Sequence, residues 1–110
     1  MSNKNKINPL VSIGMPTYNG SKYIRQALVS LINQSYRNFE LIISDNASTD
    51  NTEAICKEYR RRDKRIKYIR QKKNIGPINN FNFVLKEAKG EYCVLITCKS
   101  GKIQYILTNK

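Results

Sequence analysis

Short apolar runs punctuate the chain and indicate strands. The runs are Leu10–Met15, Phe39–Ile43, Ile66–Ile69 and Tyr92–Ile96, and each is short and rich in branched or aromatic residues, as in a buried strand. Pro16 is expected to end the first strand, because proline has no N–H for the ladder of a central strand.

Between these runs, apolar residues recur three and four positions apart, as on one face of a helix. This spacing predicts helices over Ser21–Gln34 and Asn51–Arg62, and a third helix that begins at Pro77. Gly90 is expected to be the C-terminal cap of the third helix.

Alternation of strands and helices with short connections predicts an α/β fold, a Rossmann-like parallel sheet with helices on both faces. Right-handed crossovers give the strand order 3-2-1-4, which places a ligand crevice at the carboxyl ends of strands one and four. We expect residues 1–8 to be a disordered polar tail, 9–97 to form the binding domain and 98–110 to be an atypical tail. That tail is either a fifth strand or a loose end.

Polar residues follow the first two predicted strands. Thr17, Tyr18 and Asn19 form a turn just before a helix, which suits a bound nucleotide or phosphate. Asp45 ends the second strand, where a carboxylate can bind a ribose hydroxyl or a base N–H, or serve only as a turn or cap. The glycine-rich loops of dinucleotide-binding folds and of phosphate-loop ATPases are not present in this turn, which disfavours both classes.

The 110 residues carry 20 basic and 8 acidic side chains, a net charge of +12. Ten of the basic residues lie in Lys57–Lys73. This segment is either a patch for nucleic acid, an anionic membrane surface or a phosphorylated substrate, or a solvated helix end and loop. Because its basic residues are not interleaved with stacking aromatics, nucleic acid is disfavoured.

The remaining composition excludes several classes of protein. The chain has no histidine and three cysteines without a C-x-x-C pair, which excludes a zinc site and His-dependent nucleophilic catalysis and indicates reduced, buried thiols. No apolar run is long enough for a membrane span or a leader peptide. We therefore expect a cytoplasmic protein, with a peripheral position at the inner face of the membrane as an alternative.

Four ordered motifs resemble those of the family 2 glycosyltransferases. They are Val11–Asn19, Ile42–Asp50, Asn74-x-Gly76 and Lys89–Tyr92, and the likeness covers roughly Pro9–Ile96. The resemblance implies a GT-A fold and inverting transfer of a sugar from a nucleotide sugar, a UDP-sugar in the first instance, to a saccharide or lipid-linked acceptor.

The resemblance also implies a set of nucleotide-binding residues, with Tyr18 beside the base and Asp45 as the aspartate that binds it. The set is Pro16, Thr17, Tyr18, Asn19, Asp45, Asn46, Asn74, Gly76 and Asn82. Asn46 and Ala47 stand where Asp-Gly is common in the family. Gly76 is alternatively a turn glycine, and Asn82 a polar helix position.

The chain departs from the family at Thr97-Cys98-Lys99, where members carry an Asp-x-Asp motif that holds Mg²⁺ or Mn²⁺. Such hard cations need oxygen ligands, and no Asp or Glu follows Thr97. We therefore expect no bound metal and no catalytic residue in this chain, which is interpreted as a catalytically impaired glycosyltransferase truncated before the motif. The alternatives are a non-catalytic nucleotide-binding module, or a protein that binds nucleic acid or an anionic surface through Lys57–Lys73. An open sheet edge predicts self-association.

Overall fold

A computed structural model of the chain describes residues 8–99 and 102–109. Its elements, in chain order, are β1 (Val11–Thr17), α1 (Ile24–Asn33), β2 (Phe39–Asp45), α2 (Thr52–Arg62), β3 (Ile66–Arg70), α3 (Pro77–Glu87), β4 (Tyr92–Lys99) and β5 (Lys102–Asn109). Residues 1–7 of the expected polar tail lie outside the described residues, whereas the carbonyl of Asn8 accepts a hydrogen bond from Asn38 Nδ2 at 2.8 Å. No helix in residues 8–99 is long and apolar enough to cross a membrane.

The strands that the structure describes form one sheet in the order β3-β2-β1-β4-β5. β1 to β4 run parallel, which confirms the predicted α/β fold and the order 3-2-1-4. β5 pairs antiparallel with β4, so the tail is a strand and not a loose end. β4 is thus paired on both sides, and the sheet edges are β3 and β5. Self-association through an open edge stays a prediction.

Helices cover the two faces of the sheet and enclose two groups of buried side chains. α1 and α2 pack on one face, where Leu28, Leu41 and Ile43 are fully buried. α3 packs on the other face through Val84 and Ala88, against Leu95 of β4. β2 is buried along its whole length because it has a strand on either side and helices above and below. This layering leaves the carboxyl ends of the strands accessible.

Pro16 does not end β1, which continues to Thr17, so the expected strand end is wrong. Pairing with β4 ends at Gly14–Leu95, whereas pairing with β2 continues to Thr17–Asp45. Pro16 therefore lies where β1 is paired on one side only, a position in which proline is tolerated.

Gly90 is not the cap of α3, because the helix ends at Glu87 and Ala88 is its C-cap in an extended conformation. The glycine is required by a close approach instead. A Cβ atom at residue 90 would lie 2.6 Å from the carbonyl oxygen of Leu10 and 2.7 Å from the nitrogen of Ser12. A side chain here would push β1 away from the chain that leads into β4.

Glu40 joins three strands at the end of the sheet opposite the candidate site. Its carboxylate accepts hydrogen bonds from Ser12 Oγ at 2.5 Å, from the Lys89 N–H at 2.7 Å and from Lys67 Nζ at 3.0 Å. Burial alone would raise the pKa of Glu40, but these three donors together lower it below its ordinary value of 4.5. The charged form of Glu40 therefore stabilises the folded state.

Replacing Glu40 by Gln is expected to lower the free energy of unfolding at pH 7 by about 1–3 kcal/mol, because Lys67 loses its buried charged partner. A lowered pKa means that this stabilisation is present above the ordinary glutamate pKa of 4.5 and is lost as the pH falls below it. Urea titrations between pH 7 and pH 3 should therefore give a shallower loss of stability for Glu40→Gln than for the wild type. Glu87→Gln is the control, because it makes the same change at an exposed glutamate. Equal slopes for wild type and Glu40→Gln would contradict the assignment.

Candidate functional site

A cavity of about 370 Å³ opens at the carboxyl end of the sheet, between β1 and β4. Its lining residues are Pro16, Thr17, Tyr18, Asn46, Asn74, Pro77, Asn80, Phe81 and Thr97. The β1–β4 ladder ends at Gly14–Leu95, and the cavity lies beyond that last pair. This is the switch point of the sheet, where ligands bind in open α/β folds.

The loop after β1 is tied to the loop after β2 by side chains. The Asn19 N–H donates to Ser48 Oγ at 2.8 Å, and the Thr49 N–H donates to Asn19 Oδ1 at 2.8 Å. The Gly20 N–H donates to Thr52 Oγ1 at 2.9 Å. The side chain of Asn19 is thus engaged with the neighbouring loop, and Asn19 lines a smaller recess of about 160 Å³ beside the main cavity. Tyr18, which is 50% exposed, lines both.

Asp50 strengthens the same junction. Its carboxylate accepts hydrogen bonds from the Ser21 N–H at 3.1 Å and from the N–H and hydroxyl of Thr52 at 2.9 and 2.6 Å. Burial raises the pKa of Asp50, but the bonds from Thr52 and Ser21 outweigh it and bring the pKa to about 2. The carboxylate is therefore charged at neutral pH and holds the start of α2 against the turn that carries Tyr18.

Asp45 lies beneath the loop rather than at the cavity wall. It is fully buried, and one carboxylate oxygen accepts hydrogen bonds from the N–H and hydroxyl of Ser48 at 2.9 and 2.5 Å. The other accepts a bond from the Tyr68 hydroxyl at 2.5 Å and faces Arg70 at 3.4 Å. Burial and the neighbouring Asp45 raise the pKa of Tyr68, so its hydroxyl stays a donor. A direct contact of Asp45 with a base stays a prediction, and it requires one of these donors to move.

Asn46 and Asn74 line one wall of the cavity, and Gly76, which does not line it, is hydrogen-bonded to both. Asn46 Nδ2 donates to Asn74 Oδ1 at 2.9 Å and to the Gly76 carbonyl at 3.2 Å, and Asn46 Oδ1 accepts from the Ile75 N–H at 2.8 Å. Gly76 has a φ of 88°, a left-handed conformation that favours glycine. These contacts fix the chain just before the first turn of α3.

Sequence reasoning missed three residues that line the cavity, Pro77, Asn80 and Phe81. Asn80 is 2% exposed, accepts a hydrogen bond from Ser44 Oγ at 2.5 Å and donates one to the Ser44 carbonyl at 2.9 Å. Helical spacing was the signal that could have found Asn80, because it lies four residues before the buried Val84 and therefore on the same inner face of α3. Asn82, which the resemblance assigned to the nucleotide, is exposed and borders an outer recess with Ile78 instead of the main cavity.

The residues around the cavity do not fit a divalent cation. None of the lining residues that the structure describes is acidic, and the carboxylate of Asp45 is occupied by protein donors. Among the described residues, no group of three His, Cys, Asp or Glu side chains could hold a metal ion. Thr97 contributes one hydroxyl to the cavity, whereas the side chains of Cys98 and Lys99 lie outside the described part of the structure. The expectation that this chain binds no metal stays a prediction.

Five of the ten basic residues in Lys57–Lys73 pair with carboxylates. They are Lys57, Arg62, Arg65, Lys67 and Arg70. Arg62 and Arg65 also lie over the rings of Tyr59 and Phe39, at 5.1 and 4.0 Å from the ring centroids. Half of the basic residues in this segment therefore have a structural role in the contacts of α2 and β3. This favours a solvated helix end and loop over a patch that binds an anionic partner.

The model of the family described as "Glycosyl transferase family 2" matches residues 12–98. The chain belongs to glycosyltransferase family 2. An uncharacterised glycosyltransferase of Haemophilus influenzae is 41% identical over 88 residues, which are 80% of this chain and 35% of that protein. The putative teichuronic acid biosynthesis glycosyltransferase TuaG of Bacillus subtilis is 36% identical over 88 residues, with the same two shares of 80% and 35%.

Solved glycosyltransferase structures confirm the GT-A type of fold. TarS 1–349 of S. aureus, in complex with UDP-GlcNAc, matches with a TM-score of 0.73 and 36% identity over 79% of this chain and 26% of that one. The mannosyltransferase PcManGT of Pyrobaculum calidifontis, in complex with GDP-Man and Mn²⁺, matches with a TM-score of 0.75 and 26% identity over 82% of this chain and 27% of that one. This family 2 chain spans about a third or less of the length of these relatives.

Replacing Asn80 by Ala is expected to lower the free energy of unfolding by about 1–3 kcal/mol, because the buried Ser44 hydroxyl and carbonyl lose their amide partner. Denaturant unfolding measures the change. Asn82→Ala on the same helix is the matched control, since Asn82 is exposed, makes no side-chain hydrogen bond among the described residues and should cost less than about 0.5 kcal/mol. Equal losses for the two variants would show that the Asn80–Ser44 pair does not anchor α3.

Proposed function

We propose that this chain forms the nucleotide-sugar-binding part of an inverting glycosyltransferase, with a UDP-sugar as donor. The proposal rests on the cavity that lies beyond the last β1–β4 pair, Gly14–Leu95, in a chain of glycosyltransferase family 2. Its polar lining comes from hydroxyl and amide side chains, among them Thr17, Asn74 and Thr97, and two aromatic residues complete the wall.

The size and chemistry of the cavity suit a nucleoside. About 370 Å³ falls in the usual range of small-molecule sites, which combine apolar walls with a few placed polar groups. Tyr18 and Phe81 offer aromatic surface to a base, and such contacts are tolerant of base identity. The TarS complex with UDP-GlcNAc, at 36% identity, favours uridine, whereas the PcManGT complex with GDP-Man makes guanosine the alternative.

The proposed parent reaction is a single displacement at the anomeric carbon. The acceptor hydroxyl, on a saccharide or a lipid-linked saccharide, forms a new C–O bond on one face of the sugar. The bond to the diphosphate oxygen breaks on the other face, so the nucleoside diphosphate leaves with the electron pair. A base removes the hydroxyl proton.

Within this scheme the described residues bind and orient the nucleotide. A carboxylate that could take the acceptor proton is not present at the cavity wall of the described part, where the lining is uncharged. We therefore expect nucleotide binding without efficient sugar transfer by the 110 residues alone. Transfer of sugar from a UDP-sugar by this chain, in the presence of a divalent metal, would contradict that expectation.

Nucleotide binding is testable by fluorescence, because the chain has no tryptophan. Phe81→Trp places a unique fluorophore at the cavity wall, and we expect UDP to quench it with a saturable, salt-tolerant titration curve. Isothermal calorimetry of the wild type with UDP and with GDP gives the affinities without a label.

The matched control is Ile78→Trp on the same helix, because Ile78 is 74% exposed and borders the outer recess. Its emission should be unaffected by UDP. No heat of binding for either nucleotide in the wild type would overturn the proposed function. Equal quenching in both variants would place the nucleotide elsewhere.

A further inference from the structure

The orientation of the Asn46 side chain is determined by two backbone groups that cannot exchange roles. The Ile75 N–H can only donate, and it lies 2.8 Å from Asn46 Oδ1. The Gly76 carbonyl can only accept, and it lies 3.2 Å from Asn46 Nδ2. Only one of the two orientations of the amide satisfies both groups. Asn46 is 3% exposed, so water is a poor substitute for either partner.

The orientation of Asn46 then determines that of Asn74. Asn46 Nδ2 donates to Asn74 Oδ1 at 2.9 Å, and the Gly76 N–H donates to the same oxygen at 2.8 Å. A reversed Asn74 amide would place its NH₂ group against two donors. Asn74 Nδ2 has no protein acceptor among the described residues, and Asn74 is an exposed residue of the cavity wall.

We propose that Asn46 is a positioning residue that makes Asn74 Nδ2 a hydrogen-bond donor to the bound nucleotide. The proposal deepens the proposed function and rests on it. The site then selects a nucleotide that presents an acceptor oxygen to Asn74, such as a base carbonyl or a ribose hydroxyl. A ligand with an amino group at that place would meet a second donor and bind less well.

The side chain of Asn46 does not need to touch the ligand for this role. Both of its polar atoms, and its backbone N–H, which donates to the Thr17 carbonyl at 2.9 Å, are engaged by protein groups. Its influence on the ligand passes through Asn74. An aspartate at residue 46 would change that influence, because a carboxylate accepts but cannot donate.

The test is a double-mutant cycle with Asn46→Asp and Asn74→Asp. In Asn46→Asp, we expect Asn74 Nδ2 to donate to the new carboxylate, so that it is no longer available to the ligand. In Asn74→Asp the donor itself is removed. We expect each single variant to weaken UDP binding by about tenfold in calorimetry, and the double variant to be no weaker than Asn74→Asp alone.

Asn33→Asp, an exposed change of the same charge at the end of α1, is the control and should bind UDP as the wild type does. Wild-type affinity in Asn46→Asp, or losses that add in the double variant, would overturn the proposal. Melting temperatures of all variants show whether each one is folded.

Side-chain NMR of the wild type keeps the proposal testable if Asn46→Asp does not fold. UDP should shift the Asn74 side-chain NH₂ signals and leave those of Asn46 in place, and the reverse result would overturn the proposal. In the free protein, the Asn46 NH₂ hydrogens should exchange more slowly with water than those of Asn74. If that difference is observed but no signal responds to UDP, the proposed function fails while the amide orientation stands.

Discussion

The early end of the β1–β4 ladder is the constraint from which the site follows. The two strands are paired as far as Gly14–Leu95, whereas β1 stays paired with β2 as far as Thr17–Asp45. Pro16 is compatible with this change because it cannot donate to a second ladder. The cavity lies beyond the last β1–β4 pair, and its walls come from β1, β4, the β2–α2 loop and the start of α3.

Side chains, rather than secondary structure, hold the loops around that cavity. Ser48, Asp50 and Thr52 bind the backbone of the β1–α1 loop, and Asn46 binds the chain before α3. The buried side chain of Asp45 is held in the same way, by hydrogen bonds from Ser48 and Tyr68. Loops fixed before a ligand arrives reduce the conformational entropy that binding would otherwise cost. The many small polar residues at the strand ends are therefore explained by architecture as well as by ligand contact.

The sequence pattern predicted the sheet order because buried parallel strands and right-handed crossovers leave few alternatives. The same sheet order also predicted that the site lies at the carboxyl ends of β1 and β4. It could not separate residues that face a ligand from residues that hold the loops, since both are small and polar. Asn80 and Asn82 differ by only two positions, yet the helix places Asn80 inside and Asn82 outside. Phe81 both packs against the buried cluster that contains Val84 and Leu95 and lines the cavity, and its apolar character alone does not reveal this double role.

The two sides of the cavity are held by different contacts, although β1 and β4 are paired as far as Gly14–Leu95. One wall is built from β1, the β2–α2 loop and the start of α3. Among residues 8–99, the side-chain hydrogen bonds that hold these loops involve no residue of β4. The other wall is the end of β4, which contributes Thr97. The wall that carries Asn46 and Asn74 is therefore fixed by contacts between the β2–α2 loop and the chain before α3.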